Sequence, residues 1–113
     1  MTMESDSERA RLKLGGLPGS ARRMLDYVAL LGSDARYAVI RHMARASEED
    51  MVVDLREVVD AGVIAVVSGQ PNLYEFIDQA ALGIVMADIG EARLPKLRAK
   101  ANAARRRVTG DAR

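Results

Sequence analysis

Three consecutive carboxylates, Glu48, Glu49 and Asp50, are the residues whose types come nearest to catalytic or metal-binding chemistry. A pair of carboxylates can transfer protons or hold a divalent cation when the oxygens converge on one point. Successive residues of a helix diverge by about 100° around its axis, so these three side chains point in different directions. Their place directly after Ser47 instead matches the first turn of a helix, where the helix dipole favours negative charge.

Other chemically reactive residue types are scarce in the chain. His42 is the only histidine and has no second ligand at metal-binding spacing, and there is no cysteine. Thiolate chemistry, disulfides and the usual zinc sites are therefore excluded. The glycine-rich stretch 15–19 lacks both the Lys-Ser/Thr pair and the preceding strand of a phosphate-binding loop. The sequence predicts a protein that is not an enzyme, with no cofactor, no metal and no evident small-molecule substrate.

The bulk properties of the chain predict one folded domain. Of its 113 residues 49% are hydrophobic, enough to bury a core without disulfides. No apolar run approaches the ~20 residues that span a bilayer, and the first residues have no signal-peptide pattern. We therefore expect a cytoplasmic protein without membrane contact, with a flexible segment over 1–16, a domain over 17–108 and a flexible tail over 109–113.

The net charge of +1 hides a strong separation of charge along the chain. Residues 1–46 carry 8 basic and 5 acidic side chains, residues 47–91 carry 1 and 10, and residues 92–113 carry 8 and 1. The corresponding net charges are +3, −9 and +7. Blocks of opposite charge attract one another or attract partners, and salt weakens both effects. A functional interpretation must therefore explain the acidic middle.

Apolar residues at helical spacing predict three helices in the first half of the domain. We expect Ser20 to cap the first helix, and Ser33 or Asp34 to cap the second. Ser47 is expected to cap the third helix, and Gly62 supplies its left-handed stop.

A hairpin and two more helices are predicted in the second half. Two β-rich runs within 63–76 predict a hairpin whose loop is 68–72. Asp78 is expected to cap a fourth helix that ends at Gly90, and Pro95 to open a last helix with apolar residues at 3, 4 spacing. Three helices, a β-hairpin wing and two further helices make a mainly α (α+β) fold of the winged helix-turn-helix type.

Four stretches carry a resemblance to a known family: LPGSARRMLDYVALLG, SEEDMVVDLREVVDAGVI, LYEFIDQAALGIVMADI and LPKLRAKANAARRRV. In this order, from Leu17 to Val108, they resemble the winged-helix segment that follows the nucleotide-binding module in bacterial signal-transduction ATPases, LuxR-type transcriptional activators and related regulators. The chain departs from the family at 76–78, which reads Phe-Ile-Asp in place of Phe-Arg-His, and at 82–86, which reads LGIVM in place of REavY.

The resemblance implies a fold and a role in regulatory contacts. The family's ATPase core and its DNA-binding helix-turn-helix are not among these 113 residues, so nucleotide switching is not implied. A free-standing regulator and a structural module of a larger signalling ATPase both remain open.

The outer face of the third helix is the first candidate binding surface. The helical pattern is expected to bury Met51, Val52, Leu55, Val58 and Val59, and to turn outward Glu49, Asp50, Val53, Asp54, Arg56, Glu57 and Asp60. A helix that reads a DNA groove needs basic or amide side chains, and phosphates repel carboxylates. We therefore expect a regulator, acting in transcriptional control, that binds a protein partner or a second copy through Glu49, Val53, Glu57 and Asp60. Val53 is either the apolar anchor of that contact or a singly exposed valine.

The basic last helix supports an alternative, a DNA-binding transcription regulator that acts as a dimer. The residues concerned are Arg98, Lys100, Arg105, Arg106 and Arg107. Basic segments are typical of proteins that bind nucleic acid, yet they also occur as solvated faces, here one that would complement the acidic third helix within the fold. No aromatic residue is interleaved with them, so the sequence gives no support for base stacking.

Overall fold

A computed structural model describes residues 2–111 of the chain, with side chains described over 6–109. Within that range the chain is mainly helical, with five α-helices and a two-stranded antiparallel hairpin. The helices are α1 (Thr2–Gly15), α2 (Gly19–Leu31), α3 (Tyr37–Ala44), α4 (Glu48–Asp60) and α5 (Gln79–Asp111). The strands are β1 (Ile64–Val67) and β2 (Gln70–Phe76), and a short 3-10 helix (Gly32–Asp34) connects α2 to α3.

The amino-terminal segment 1–16 differs from the flexible segment that the sequence predicts, because α1 occupies most of it. Ala10 is fully buried, Leu14 is 7% exposed, and both belong to the core. Lys13 Nζ lies 2.9 Å from an oxygen of Asp78. These contacts dock α1 mainly on α5. The segment has few apolar residues, so its periodicity is weak, and contacts with distant parts of the chain hold it.

The tail 109–113 is also helical where it is described, since α5 continues to Asp111. Met1, Ala112 and Arg113 lie outside the described residues.

The first two helices begin at other residues than predicted. Ser20 lies inside α2, and its hydroxyl donates a hydrogen bond to Asp54 Oδ1 at 2.9 Å instead of capping the helix. Neither Ser33 nor Asp34 caps α3, which begins after the extended Arg36. The Asp34 carboxylate accepts a hydrogen bond from Arg36 Nε at 2.6 Å instead. Ser20 and Asp34 therefore form hydrogen bonds with other side chains instead of capping a helix.

The third helix, α4, begins and ends where the sequence predicts. The Ser47 hydroxyl accepts a hydrogen bond from the backbone N–H of Asp50 at 3.1 Å. Gly62 follows the helix with φ +79°, a left-handed conformation that only glycine adopts without steric cost. Both signals are local, so they act regardless of the packing around them.

The hairpin is confirmed, with a shorter turn than the predicted loop 68–72. Ser68 and Gly69 alone form the turn, and the next three residues belong to β2, beside a bulge. The backbone N–H of Tyr74 donates a hydrogen bond to the carbonyl of Ala35 at 2.9 Å. This bond joins β2 to the segment that precedes α3 and fixes the hairpin against the helices.

The long helix α5 consists of two helical arms, 79–89 and 91–111. They meet at Gly90, whose φ of 71° and ψ of 169° are not helical, as expected for the predicted stop. Asp78 Oδ1 accepts a hydrogen bond from the Ala81 N–H at 3.1 Å, which fits the predicted cap. Pro95 lies inside the second arm rather than at its start. The second arm buries part of the predicted apolar stripe, namely Leu97, Ala101 and Ala104.

A buried carboxylate connects α2 to the second arm of α5. The Asp26 side chain is 8% exposed and pairs with Arg22 at 3.0 Å and with Arg93 at 2.9 Å. Arg22 also pairs with Asp88 in the first arm at 2.9 Å. This network holds both arms of α5 against α2.

The pKa values of two carboxyl groups, those of Asp34 and Asp78, are lowered in the fold. Burial acts to raise the pKa of Asp34, but hydrogen bonds from Arg36 and Arg105 outweigh it and hold that pKa below 3.8, its ordinary value. The pKa of Asp78 is lowered in the same way, because the Lys13 ammonium group outweighs the effect of burial. A carboxyl group whose pKa is lower in the folded state stabilises the fold above its ordinary pKa.

We therefore expect stability to fall as the pH drops from about 5 through 3.8 and through the lower pKa values of the folded state. The double substitution Asp34→Asn/Asp78→Asn should remove part of this acid dependence, because asparagine does not titrate. Urea unfolding at a series of pH values measures it. Asp60→Asn, at an exposed carboxylate, is the control and should leave the profile unchanged. If acid lowers the free energy of unfolding equally in the double variant and the wild type, Asp34 and Asp78 are not the groups responsible.

Candidate interaction surfaces

All four residues predicted to bind a protein partner, Glu49, Val53, Glu57 and Asp60, are solvent-exposed on α4. Val53 is 59% exposed. The helix contacts α2 and β1 through its opposite side. We define the α4 acidic surface as the exposed residues of this helix that surround Val53, namely Glu49, Asp50, Val52, Val53, Arg56, Glu57 and Asp60.

Two residues of α4 lie on the other side from that predicted. Asp54, expected to face outward, is 7% exposed and accepts the hydrogen bond from Ser20. Val52, expected in the core, is 52% exposed. The buried stripe runs through Met51, Asp54, Leu55 and Val58, so the helix is rotated relative to its purely apolar projection. As a result the α4 acidic surface has two adjacent valines at its centre.

The carboxylates of the α4 acidic surface form no ion pair with the side chains that the structure describes. Over residues 6–109, no salt bridge involves this surface. Two bases of the last block pair instead with acids of residues 1–46, Arg93 with Asp26 at 2.9 Å and Arg105 with Asp34 at 3.0 Å. Among the described side chains the basic last helix therefore does not neutralise α4 through ion pairs, and the charge of the α4 acidic surface remains open to a partner.

The five basic residues predicted to bind nucleic acid do not share one surface. Arg105 is held by its ion pair, and with Arg98 it borders a cavity beside α2. Lys100 and Arg107 border a separate groove against α3, while Arg106 is exposed. A cluster in the sequence is thus distributed around the second arm of α5.

The groove between α3 and the second arm of α5 has a volume of about 810 Å³. Four basic side chains line it, and we call it the basic groove: Arg41 of α3, Arg45 directly after α3, and Lys100 and Arg107 of α5. The other lining residues are Tyr37, Ala38, His42, Ala46, Ala103 and Ala104, so no acid is among the described residues that line it. Sequence reasoning missed Arg41 and Arg45, because only the docking of α3 on α5 reveals their proximity to Lys100.

Two contacts hold the cations of the basic groove in position. Arg41 Nε donates a hydrogen bond to the carbonyl of Ala46 at 3.2 Å. Lys100 Nζ lies 5.6 Å from the centre of the Tyr27 ring, within the range of a cation–π contact. Neither contact neutralises a charge. Over the side chains of residues 6–109, the four cations of the groove form no salt bridge.

Metal centres and membrane spans are the two other features to consider in the described part of the chain. There, no group of three or more histidine and carboxylate side chains could hold a metal ion, and no helix has the length and apolar character to cross a membrane. Comparison of the chain with protein-family models, curated proteins and solved structures finds no match. The resemblance to the winged-helix segment of LuxR-type regulators therefore stays a prediction, and function must be argued from the two charged surfaces.

Proposed function

We propose that the chain is a winged-helix regulatory module that acts in transcriptional control mainly through protein–protein contacts, with the α4 acidic surface as its binding site. The single observation that carries this proposal is the acidic charge around Val52 and Val53, which no described cation pairs with. Burial of these two valines would supply the apolar centre of an interface, and the carboxylates its polar rim.

The winged-helix assignment is supported by the order of the elements. Helices α2, α3 and α4 precede the hairpin, and the bond between Tyr74 and Ala35 joins that hairpin to the segment between α2 and α3. In a winged helix that reads DNA, the helix in the place of α4 enters the major groove. Here that helix presents one exposed arginine and five exposed carboxylates, and phosphates would repel the carboxylates.

The charge of the α4 acidic surface also specifies the chemistry of the partner. A complementary protein surface would carry lysine or arginine around an apolar pocket that accepts the two valines. Opposite charges speed the encounter of such surfaces and exclude acidic competitors. Binding should therefore weaken as salt is added.

Site-specific crosslinking tests this proposal in extracts of the cells that produce the chain. A photoreactive residue at position 53 should give one discrete adduct, whereas one at Leu12, which is 77% exposed on α1, should not. Excess unlabelled wild-type chain should suppress the adduct. The competitor Val53→Arg/Glu57→Arg should need at least about tenfold more protein, as truncating an interface anchor typically costs more than 1 kcal/mol.

The matched competitor is Leu12→Arg/Glu91→Arg, which makes the same charge change at two exposed positions away from α4. It should suppress the adduct as the wild type does. Equal suppression by both double variants would exclude the α4 acidic surface as the binding site. The alternative, a DNA-binding regulator that uses the basic last helix, depends on other residues and is favoured only by the basic groove.

A further inference from the structure

We propose that the basic groove binds the phosphate backbone of a nucleic acid, separately from the partner site on α4. The groove brings Arg41 of α3 and Arg45, which follows that helix, together with two cations of α5, and no described acid lines it. Electrostatic attraction to phosphates supplies most of the affinity of sequence-independent nucleic-acid binding. The site is thus composed differently from the basic run 105–107 of the sequence, because only Arg107 belongs to both.

The chemistry of the groove suits phosphate oxygens. Three of its four cations are arginines, whose planar guanidinium groups bind phosphates with two parallel hydrogen bonds. The bond from Arg41 to the carbonyl of Ala46 uses Nε and leaves the terminal nitrogens for a ligand. None of the described carboxylates has to be displaced, since the four cations form no salt bridge with them.

The spacing of the cations favours a polymer over a single phosphate ion. Arg41 lies in the last turn of α3, and Arg45 follows the helix as its left-handed C-cap, four residues further along the chain. Lys100 and Arg107 are seven residues apart on α5, about 10 Å along that axis. A duplex carries one phosphate per about 3.4 Å of axis in each strand, so cations spread in this way would contact several phosphates. The groove offers one partly buried aromatic residue, Tyr37, so recognition would not depend on the bases.

Titration of a fluorescent duplex DNA with the full chain, at several salt concentrations, tests the proposal. The groove variant is Arg41→Gln/Arg45→Gln/Lys100→Gln/Arg107→Gln. It should bind at least about tenfold more weakly at low salt, and its salt slope should be smaller by about 3 to 4, because each phosphate contact contributes about 0.9. The matched control is Arg9→Gln/Arg11→Gln/Arg23→Gln/Lys96→Gln, which removes the same charge from exposed residues outside the groove and should change both quantities much less.

Several outcomes would overturn the proposal: no binding by the wild type at low salt, equal weakening in the two variants, or displacement of the duplex by polyglutamate as effectively as by unlabelled DNA. Displacement by inorganic phosphate at similar concentrations would also overturn it, because it would indicate a site for a single anion. Circular dichroism checks that each variant is folded. If the quadruple variant is not, Arg45→Gln/Arg107→Gln, at two exposed residues, should lower the slope by about half as much. Val53→Arg/Glu57→Arg should retain DNA binding, which separates this proposal from the one for α4.

Discussion

Leu14→Ala is expected to lower the free energy of unfolding by about 2–4 kcal/mol, the usual effect of removing a buried leucine side chain. Leu14 is 7% exposed in the core, although it lies in the segment that the sequence predicts to be flexible. Leu12→Ala, two residues earlier on the same helix, should change the unfolding free energy by less than about 0.5 kcal/mol. Leu12 is 77% exposed, so the pair differs in burial alone.

Urea unfolding followed by circular dichroism measures both variants. An effect of Leu14→Ala as small as that of Leu12→Ala would mean that α1 does not dock in solution and that the segment is flexible, as its composition suggests. Removal of the ion pair by Lys13→Met gives a second measure of docking. That variant should be slightly less stable, because the Lys13 side chain is 35% exposed and its bond to Asp78 is partly screened by water.

Arg22→Gln/Arg93→Gln is expected to destabilise the fold by about 2–3 kcal/mol, because it leaves the Asp26 carboxylate buried without its cations. Removing the partner of a fully buried charge typically costs about 3–5 kcal/mol. The two arginine side chains are 23% and 54% exposed, so solvent already screens part of the interaction and we expect less. Adding Asp26→Asn should recover much of the loss, since the remaining amide carries no charge.

Thermal or urea unfolding at neutral pH of the wild type, the double variant and the triple variant measures this coupling. A triple variant that is less stable than the double variant would show that the arginines act through the packing of their aliphatic stems and not through charge. The network also sets the position of the second arm of α5 on α2, through Arg93. That arm supplies half of the basic groove, so the double variant should also bind DNA more weakly.

The two proposals together describe a chain that connects a protein and a nucleic acid through surfaces of opposite charge. The α4 acidic surface would exclude nucleic acid and select a basic partner, and the basic groove would do the reverse. Raising the salt concentration should therefore weaken both contacts.

Local sequence signals determined α4 and the order of the elements that follow α1. Ser47 and Gly62 act within one helical turn of the residues that they cap or stop, so the ends of the helix could be predicted without the rest of the fold. The exposure of Glu49, Val53 and Glu57 follows from the same helical period. In these places the sequence predicted both the element and the face that carries the candidate site.

Only the tertiary structure decided where the less regular residues lie. Asp54 is buried and accepts a hydrogen bond from Ser20, 34 residues away. The helix α4 is therefore rotated relative to its purely apolar projection, and Val52 is exposed. The basic groove depends on the docking of α3 on α5, which brings Arg41 close to Lys100. A pattern within one helix reports that helix's own apolar face, whereas polar pairs formed across long stretches of chain depend on how the helices dock. The sequence alone therefore determined the acidic surface, and the fold created the basic one.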